Sequence, residues 1–362
     1  MIQTEAELKA LVQRAVNAPR VALDTEFFWE RTFYPILGVV QLGFSERECV
    51  LIDAIALPTL PYFGDLLSCP STEKILHDAK QDLVILSHIT KTTPKSIFDT
   101  RCAAGFTGLP STTSLAALLR EVMDVDIPKT ETRSNWLKRP LTQNQIDYAL
   151  NDVRFLPGLR DLLSSRAEAL GNLAYLQEEM ERFNPPDFYN ELTPLDIFSR
   201  IKSGRLQGQN RIILLELVRF REAAARTYNI PRAHVLRDTD LLELAHHAPS
   251  SMGDIERLRD LPRGTAQRYG QPILTAIYEG RSASKIQNSL APEKKRPPRD
   301  LKDKVNQRIL SIKKAGIAAG IDPALIASKG MVTEWISAEL EDPKLQHPLQ
   351  MGWRKNFLSP AS

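Results

Sequence analysis

Long apolar runs are missing from this sequence, and their absence excludes a first group of functions. No stretch approaches the roughly 20 apolar residues that a membrane-spanning helix needs, so no membrane partner is expected. The first residues, MIQTEAELKALVQRAV, form a charged amphipathic helix pattern and not a secretory signal. Cysteine is scarce as well. Cys49, Cys69 and Cys102 are odd in number and widely spaced, matching neither a disulfide framework nor a zinc site. Reduced structural thiols in a cytoplasmic protein are the expectation. Strong net charge is also lacking: 47 Lys and Arg against 44 Asp and Glu leave +3, which by itself points to no partner. What remains is an ordinary globular composition over 362 residues, enough for two or three domains, with a monomer as the default state.

The most informative stretch is Val21-Ala22-Leu23-Asp24-Thr25-Glu26-Phe27-Phe28. It reads as a buried strand ending in acid. Side chains alternate along a strand, so Asp24 and Glu26 share one face while Leu23 and Thr25 take the other. Two like charges at a strand end need a cation or a proton between them, and hard divalent cations prefer carboxylate oxygens. An Asp-x-Glu taken alone is still better explained by a solvated strand end.

Two further strands, Pro35 to Phe44 and Cys49 to Asp53, should complete an antiparallel meander. The connection between the first two strands holds Phe27, Phe28, Trp29, Arg31, Phe33 and Tyr34. These rings either tuck into a core or stack nucleobases, and both readings stand. From residue 59, helices alternate with strands at Lys74–His77 and Ser96–Phe98, which implies parallel pairing and hence a mixed sheet. Asp99 reads as a helix N-cap. Asp82 falls in the first turn of a helix, where the macrodipole favours an acid in any case. Thr142 followed by Gln145 is a capping box. The helix it opens carries an apolar stripe of Ile146, Ala149, Leu150 and Val153, with Tyr148 and Asp152 four apart on the other side. An acid flanked by Tyr148 and Phe155 on what should be plain surface suggests a contact surface. Beyond Pro185-Pro186 the pattern is helical only, from about 208 to 285 and again from 305 to 340. Between these lies a basic, proline-rich segment that reads equally as a spacer or a phosphate contact.

The order Asp-x-Glu, Asp, Tyr-x-x-x-Asp resembles the DEDD superfamily of 3′-to-5′ exonucleases, in its tyrosine-bearing branch, and the details look like the ribonuclease D family. The motifs are Leu23 to Phe27; Leu76 to Leu83 followed by Phe98-Asp99-Thr100; and Tyr148 to Val153. Arg31 to Pro35, Leu37-Gly38, Gln41-Leu42 and the Arg133 to Leu141 loop also match. Phe220 to Ala225, with Pro231, Val235-Leu236, Leu241-Leu242, Pro249 and Tyr269-Gly270, is similar to an HRDC domain, with Phe220 where that motif usually has Trp. The tail from about 300 resembles a second, more divergent HRDC-like domain.

The resemblance implies an α/β ribonuclease H-like exonuclease domain with a mixed sheet over residues 1–190. An all-α HRDC domain over 208–285, a basic linker over 286–299 and a second HRDC-like helical domain over 300–362 follow. It further implies metal-dependent removal of nucleotides from RNA 3′ ends, with release of nucleoside 5′-monophosphates. Two Mg²⁺ or Mn²⁺ ions would be held by Asp24, Glu26, Asp82 and Asp152, with Tyr148 orienting the attacking water. RNA, in particular tRNA precursors, is the implied partner, and Phe27, Phe28, Arg31, Tyr34, Gln41, His77, Arg133 and Trp136 the implied substrate contacts. Two alternatives remain: a DNA 3′-to-5′ exonuclease on the same acids, and a non-catalytic RNA-binding HRDC protein. The second is disfavoured because all four acids and the tyrosine are present. A Ser/His hydrolase built on Ser87-His88 lacks any nucleophile-elbow context.

Overall fold

The computed structural model describes residues 1–128, 131, 134–204, 206–258, 260–262, 264–283, 300–342 and 346–358. They divide into two units: unit 1 is Met1–Phe28, Leu37–Tyr189 and Pro297–Ser362, and unit 2 is Trp29–Ile36 and Asn190–Arg296.

Unit 1 is built on five strands: β1 (Arg20–Phe28), β2 (Ile36–Ser45), β3 (Glu48–Asp53), β4 (Glu73–Leu76) and β5 (Ile97–Asp99). Their order in the sheet is β3-β2-β1-β4-β5. β2 and β3 run antiparallel, with Val39 opposite Asp53 and Gln41 opposite Leu51. β1 pairs parallel with β4, and β4 with β5, so the sheet is mixed as the alternating pattern predicts. Helix α1 (Glu5–Ala15) precedes the sheet, capped by a Thr4/Glu7 box. α2 (Phe63–Ser68) and α3 (Lys80–Thr90) make the crossovers that parallel strands require. α4 (Thr100–Ala104), α5 (Leu115–Met123), α6 (Gln143–Arg154), α7 (Leu156–Ala169) and α8 (Leu173–Met180) follow. The sheet's branched and leucine residues, among them Val21, Leu23, Val40, Leu42 and Ile75, are sealed in the core by Leu83, Leu86, Leu159 and Leu163 from these helices.

Unit 2 consists of α9 (Pro194–Arg200), α10 (Gln209–Thr227), α11 (Arg232–Val235), α12 (Asp238–His247), α13 (Met252–Glu256) and α14 (Thr265–Ser282). Its core joins Leu214, Leu217, Val218, Leu241, Leu244, Ile273 and Ile277. Gly280 lets α14 close on α10, since a Cβ there would lie 2.7 Å from the Ile213 Cα. The 29–36 segment supplies Phe33 to this core. Its backbone is fixed by Asn229, whose Oδ1 accepts from the Phe33 and Tyr34 amides at 3.1 Å each. Arg226 and Arg232 cover the Phe33 ring at 5.0 and 4.6 Å. Both also reach the fully buried Glu222, Arg232 closely at 2.7 Å and Arg226 at 3.8 Å. Of the two readings of the aromatic connection, packing describes Phe33.

The last helices, α15 (Leu301–Ala318), α16 (Pro323–Ile326) and α17 (Lys329–Glu341), belong to unit 1. Leu301, Val305, Ile312, Ile326 and Trp335 lie in the same core as the sheet. Trp353 stacks on Tyr175 at 6.0 Å, and its indole N–H donates to Glu179 at 2.9 Å. The expected stand-alone domain over 300–362 is thus, by its contacts, an extension of the first compact unit. The expected linker, 286–299, lies outside the described residues. Among the described residues, no helix is long and apolar enough to cross a membrane.

Candidate active site

β1 carries Asp24 and Glu26 on one face and the buried Leu23 and Thr25 on the other, as strand alternation requires. α6 lies across the first face. It starts with the predicted box, in which the Thr142 hydroxyl accepts from the Gln145 amide and the Gln145 side chain accepts from the Thr142 amide. Gln145, Ala149 and Val153, four apart, form its buried stripe. Close seating of the helix depends on Gly43: a Cβ there would lie 3.1 Å from the Val153 carbonyl oxygen and 3.4 Å from the Ala22 Cβ. With α6 so placed, Asp152 meets the strand acids. One carboxylate oxygen each from Asp24, Glu26 and Asp152 lie within 4.8 Å of one another.

Asp82 comes from the first turn of α3 and is 8% exposed. Its carboxyl accepts a short hydrogen bond from the Thr25 hydroxyl, itself 5% exposed. The four acids perturb each other strongly. Burial, then the charges of Asp82, Asp152 and Glu26, push Asp24 well above the ordinary carboxylate range. Burial with Asp152 and Asp82 raises Glu26 to about 9. Burial with Asp82 raises Asp152 to about 7. Burial raises Asp82 to about 6 against the opposing Thr25 hydrogen bond. Tyr148 is pushed above its ordinary value by burial and by the negative charge of Asp152, Glu26 and Asp24, so its hydroxyl stays protonated. Like charges gathered this closely and half-buried are stable only with protons or a cation among them. An all-oxygen donor set of this kind fits a hard divalent ion.

The remaining sequence candidates are placed less uniformly. His77 puts Nδ1 3.0 Å from the Thr100 hydroxyl, and burial lowers its pKa so that it favours the neutral ring. Asp99 is an N-cap and latch, accepting from the amides of Asp78, Ala79 and Arg101 at 3.1, 3.1 and 2.9 Å. Phe27 and Phe28 are half-buried at the end of β1, Phe27 against the unit 1 core. Arg31 is exposed, and Tyr34 packs edge-on against Phe33 at 4.8 Å; both belong to unit 2. Arg133 lies outside the described residues.

Trp136 and Gln41 depart from the expectation of substrate contact. Trp136 is 3% exposed, in a small core with Val39, Leu51, Leu141 and Ala149, and its ring centroid is 6.1 Å from that of Tyr148. Gln41 is wholly buried. Neither has a face to offer a base. Sequence reasoning missed Thr25, whose only signal is a hydroxyl between two acids, and the Asp53–Arg139 pair. Arg139 Nε and Nη2 donate to the two Asp53 oxygens at 2.9 and 2.6 Å. Nη1 and Nη2 also reach the Trp136 and Gly38 carbonyls at 2.8 Å. This fork holds the 134–141 loop, and with it Trp136, against β2.

Residues 1–168 match the family model described as 3′-5′ exonuclease, and residues 212–277 the HRDC domain model. Ribonuclease D of Desulfotalea psychrophila is 39% identical over 99% of this chain and 96% of its own length. The chain belongs to the ribonuclease D family. Ribonuclease D of Pseudomonas paraeruginosa is 32% identical over 99% of this chain and 95% of its own. Among solved structures, Escherichia coli RNase D, described as an exoribonuclease involved in structured RNA processing, superposes with a TM-score of 0.86. It is 26% identical and covers 99% of this chain and 96% of its own. A ribonuclease D chain is a hydrolase, a 3′-to-5′ exoribonuclease, and the likeness extends through both the exonuclease and the HRDC regions.

Proposed function

We propose that Asp24, Glu26, Asp82, Tyr148 and Asp152 carry the exoribonuclease reaction, and that its substrates are RNAs with 3′ extensions, tRNA precursors among them. The observation behind this reading is the convergence of the Asp24, Glu26 and Asp152 oxygens within 4.8 Å, with Asp82 beside them. Two divalent cations of the Mg²⁺ or Mn²⁺ type, held by these carboxylates, would neutralise phosphate charge, favour hydroxide over water and stabilise the leaving oxygen. The chain's own groups do the rest. The Tyr148 hydroxyl, kept protonated by its surroundings, orients the attacking water by hydrogen bonding rather than by taking its proton. Water oxygen bonds to the terminal phosphorus and the bond from phosphorus to the penultimate 3′ oxygen breaks. The freed nucleotide keeps its 5′-phosphate, and the shortened RNA ends in a 3′-hydroxyl. The HRDC region over 212–277 supplies a second nucleic-acid contact. A cytoplasmic monomer fits this role.

The test is degradation of a 3′-extended tRNA transcript with and without Mg²⁺, beside matched RNA and DNA oligonucleotides. Wild type should release nucleoside 5′-monophosphates only with the metal and prefer RNA, and Asp152→Ala should be inactive. Equal rates on DNA would instead favour a DNA exonuclease, because the 2′-hydroxyl is the distinguishing group.

A further inference from the structure

Gln41 is the feature that the site as described does not use. Its side chain is 0% exposed, and among the described residues neither its amide nitrogen nor its amide oxygen has a hydrogen-bond partner. Buried polar groups are almost always paired, so an orphaned carboxamide calls for a specific explanation.

The sheet geometry supplies one. β1 and β2 are neighbours, and residues 29–35 that join them are too few for a parallel crossover, so the pair is an antiparallel hairpin. A Cβ on Gly43 would lie 3.4 Å from the Ala22 Cβ, which sets these two residues opposite one another. Stepping by two along each strand keeps the face and puts Gln41 opposite Asp24, and Val39 opposite Glu26. Val39 does pack with Ala149 of α6, the helix that covers the acids, which confirms the face. Directly opposed residues have their Cβ atoms about 5 Å apart. A glutamine therefore stands on the strand position next to the most crowded carboxyl of the cluster, sealed from solvent, with neither its donor nor its acceptor paired among the described residues.

We propose that Gln41 is a positioning residue for Asp24. Its carboxamide N–H donates, through one buried water, to the Asp24 carboxyl group and fixes the orientation in which that group meets a divalent cation. Carboxylates that ligate metals are commonly held by such outer hydrogen bonds. The inference rests on the proposed role of Asp24 as a metal ligand. Because the amide is sealed in, it acts through Asp24 and never touches RNA.

The test is Gln41→Met, which keeps the length and volume of the side chain and deletes the amide, together with Gln41→Leu. Mn²⁺ binding to the full chain without RNA is measured by calorimetry, and stability by urea denaturation of the metal-free protein. The variants should stay folded with a urea midpoint close to that of wild type, while Mn²⁺ affinity falls roughly tenfold or more. The KM for RNA should stay within about twofold. Mn²⁺ affinity within twofold of wild type would overturn the proposal, as would a variant that no longer folds, since the amide would then be structural. Wild type that binds no Mn²⁺ at all would remove the underlying reading of Asp24, which separates the two failures.

Discussion

Thr25 shows how much a single side chain contributes here. It sits between Asp24 and Glu26 but faces away from them, and its hydroxyl is the hydrogen-bond donor to Asp82. Thr25→Val keeps the shape and leaves a buried carboxyl without that donor. The expected outcome is a kcat about tenfold lower (~1.4 kcal/mol) with KM for RNA nearly unchanged, recovered by Thr25→Ser in steady-state assays. The same cluster dictates a pH effect. Glu26, Asp152 and Asp82 lie at about 9, 7 and 6 in the folded chain, above the value near 4 of unfolded carboxyls. Between these limits the folded state binds more protons, so their contribution is fully present below about pH 4 and is lost as pH rises through 6 to 9. In EDTA, Asp152→Asn should therefore be more stable than wild type at pH 8 by on the order of 1–2 kcal/mol, and should lose that advantage towards pH 4. Urea melts at the two pH values check this; an Asp152→Asn chain less stable than wild type at pH 8 would contradict it. That Asp24 and Glu26 share a face was readable from alternation, and that Tyr148 and Asp152 share one from helical spacing. The Thr25–Asp82 bond was not readable, because it depends on which helix covers the second face of β1.

At the scale of elements, the 134–141 loop is held by one fork. Arg139 joins Asp53 to the Gly38 and Trp136 carbonyls, and Gly38 is obligatory because a Cβ there would lie 2.6 Å from the Trp136 oxygen. Burial opposes it, but the hydrogen bonds from Arg139 and Gln3 hold Asp53 at about 2. The stability this carboxylate contributes is present above about pH 4 and fades as pH falls towards 2. Asp53→Asn should cost about 2–4 kcal/mol near pH 7 by stranding the guanidinium, measured by urea denaturation, with the deficit shrinking below pH 3. The strands, the Thr142/Gln145 capping box and the parallel pairing of β1, β4 and β5 were legible as local pattern. The burial of Trp136 was not: a tryptophan in a basic loop looks like a base-stacking group until Arg139 is seen to fold the loop inward.

At the scale of the whole molecule, the chain does not divide where its composition changes. Phe33 lies between two strands of the sheet in sequence, yet it fills the helical core of unit 2. Phe33→Ala should destabilise unit 2 by about 3 kcal/mol, seen as faster hydrogen exchange across α10 and α12. Unchanged exchange there would show the ring to be dispensable. The tail from 300 looked like a separate helical domain because helical periodicity reports that a face is buried, not what buries it. Trp353 on Tyr175, and Leu301 and Trp335 in the core of the sheet, supply the missing information. The account as a whole stands on the acids gathered between β1, α3 and α6, and Asp24→Asn tests it most directly. With saturating Mg²⁺ and a 5′-labelled 3′-extended tRNA, wild type should produce a ladder shortening from the 3′ end. Asp24→Asn should lose roughly 10³-fold in rate, about 4 kcal/mol of transition-state stabilisation, while its RNA affinity stays within twofold. An Asp24→Asn chain that trims at the wild-type rate would contradict the account.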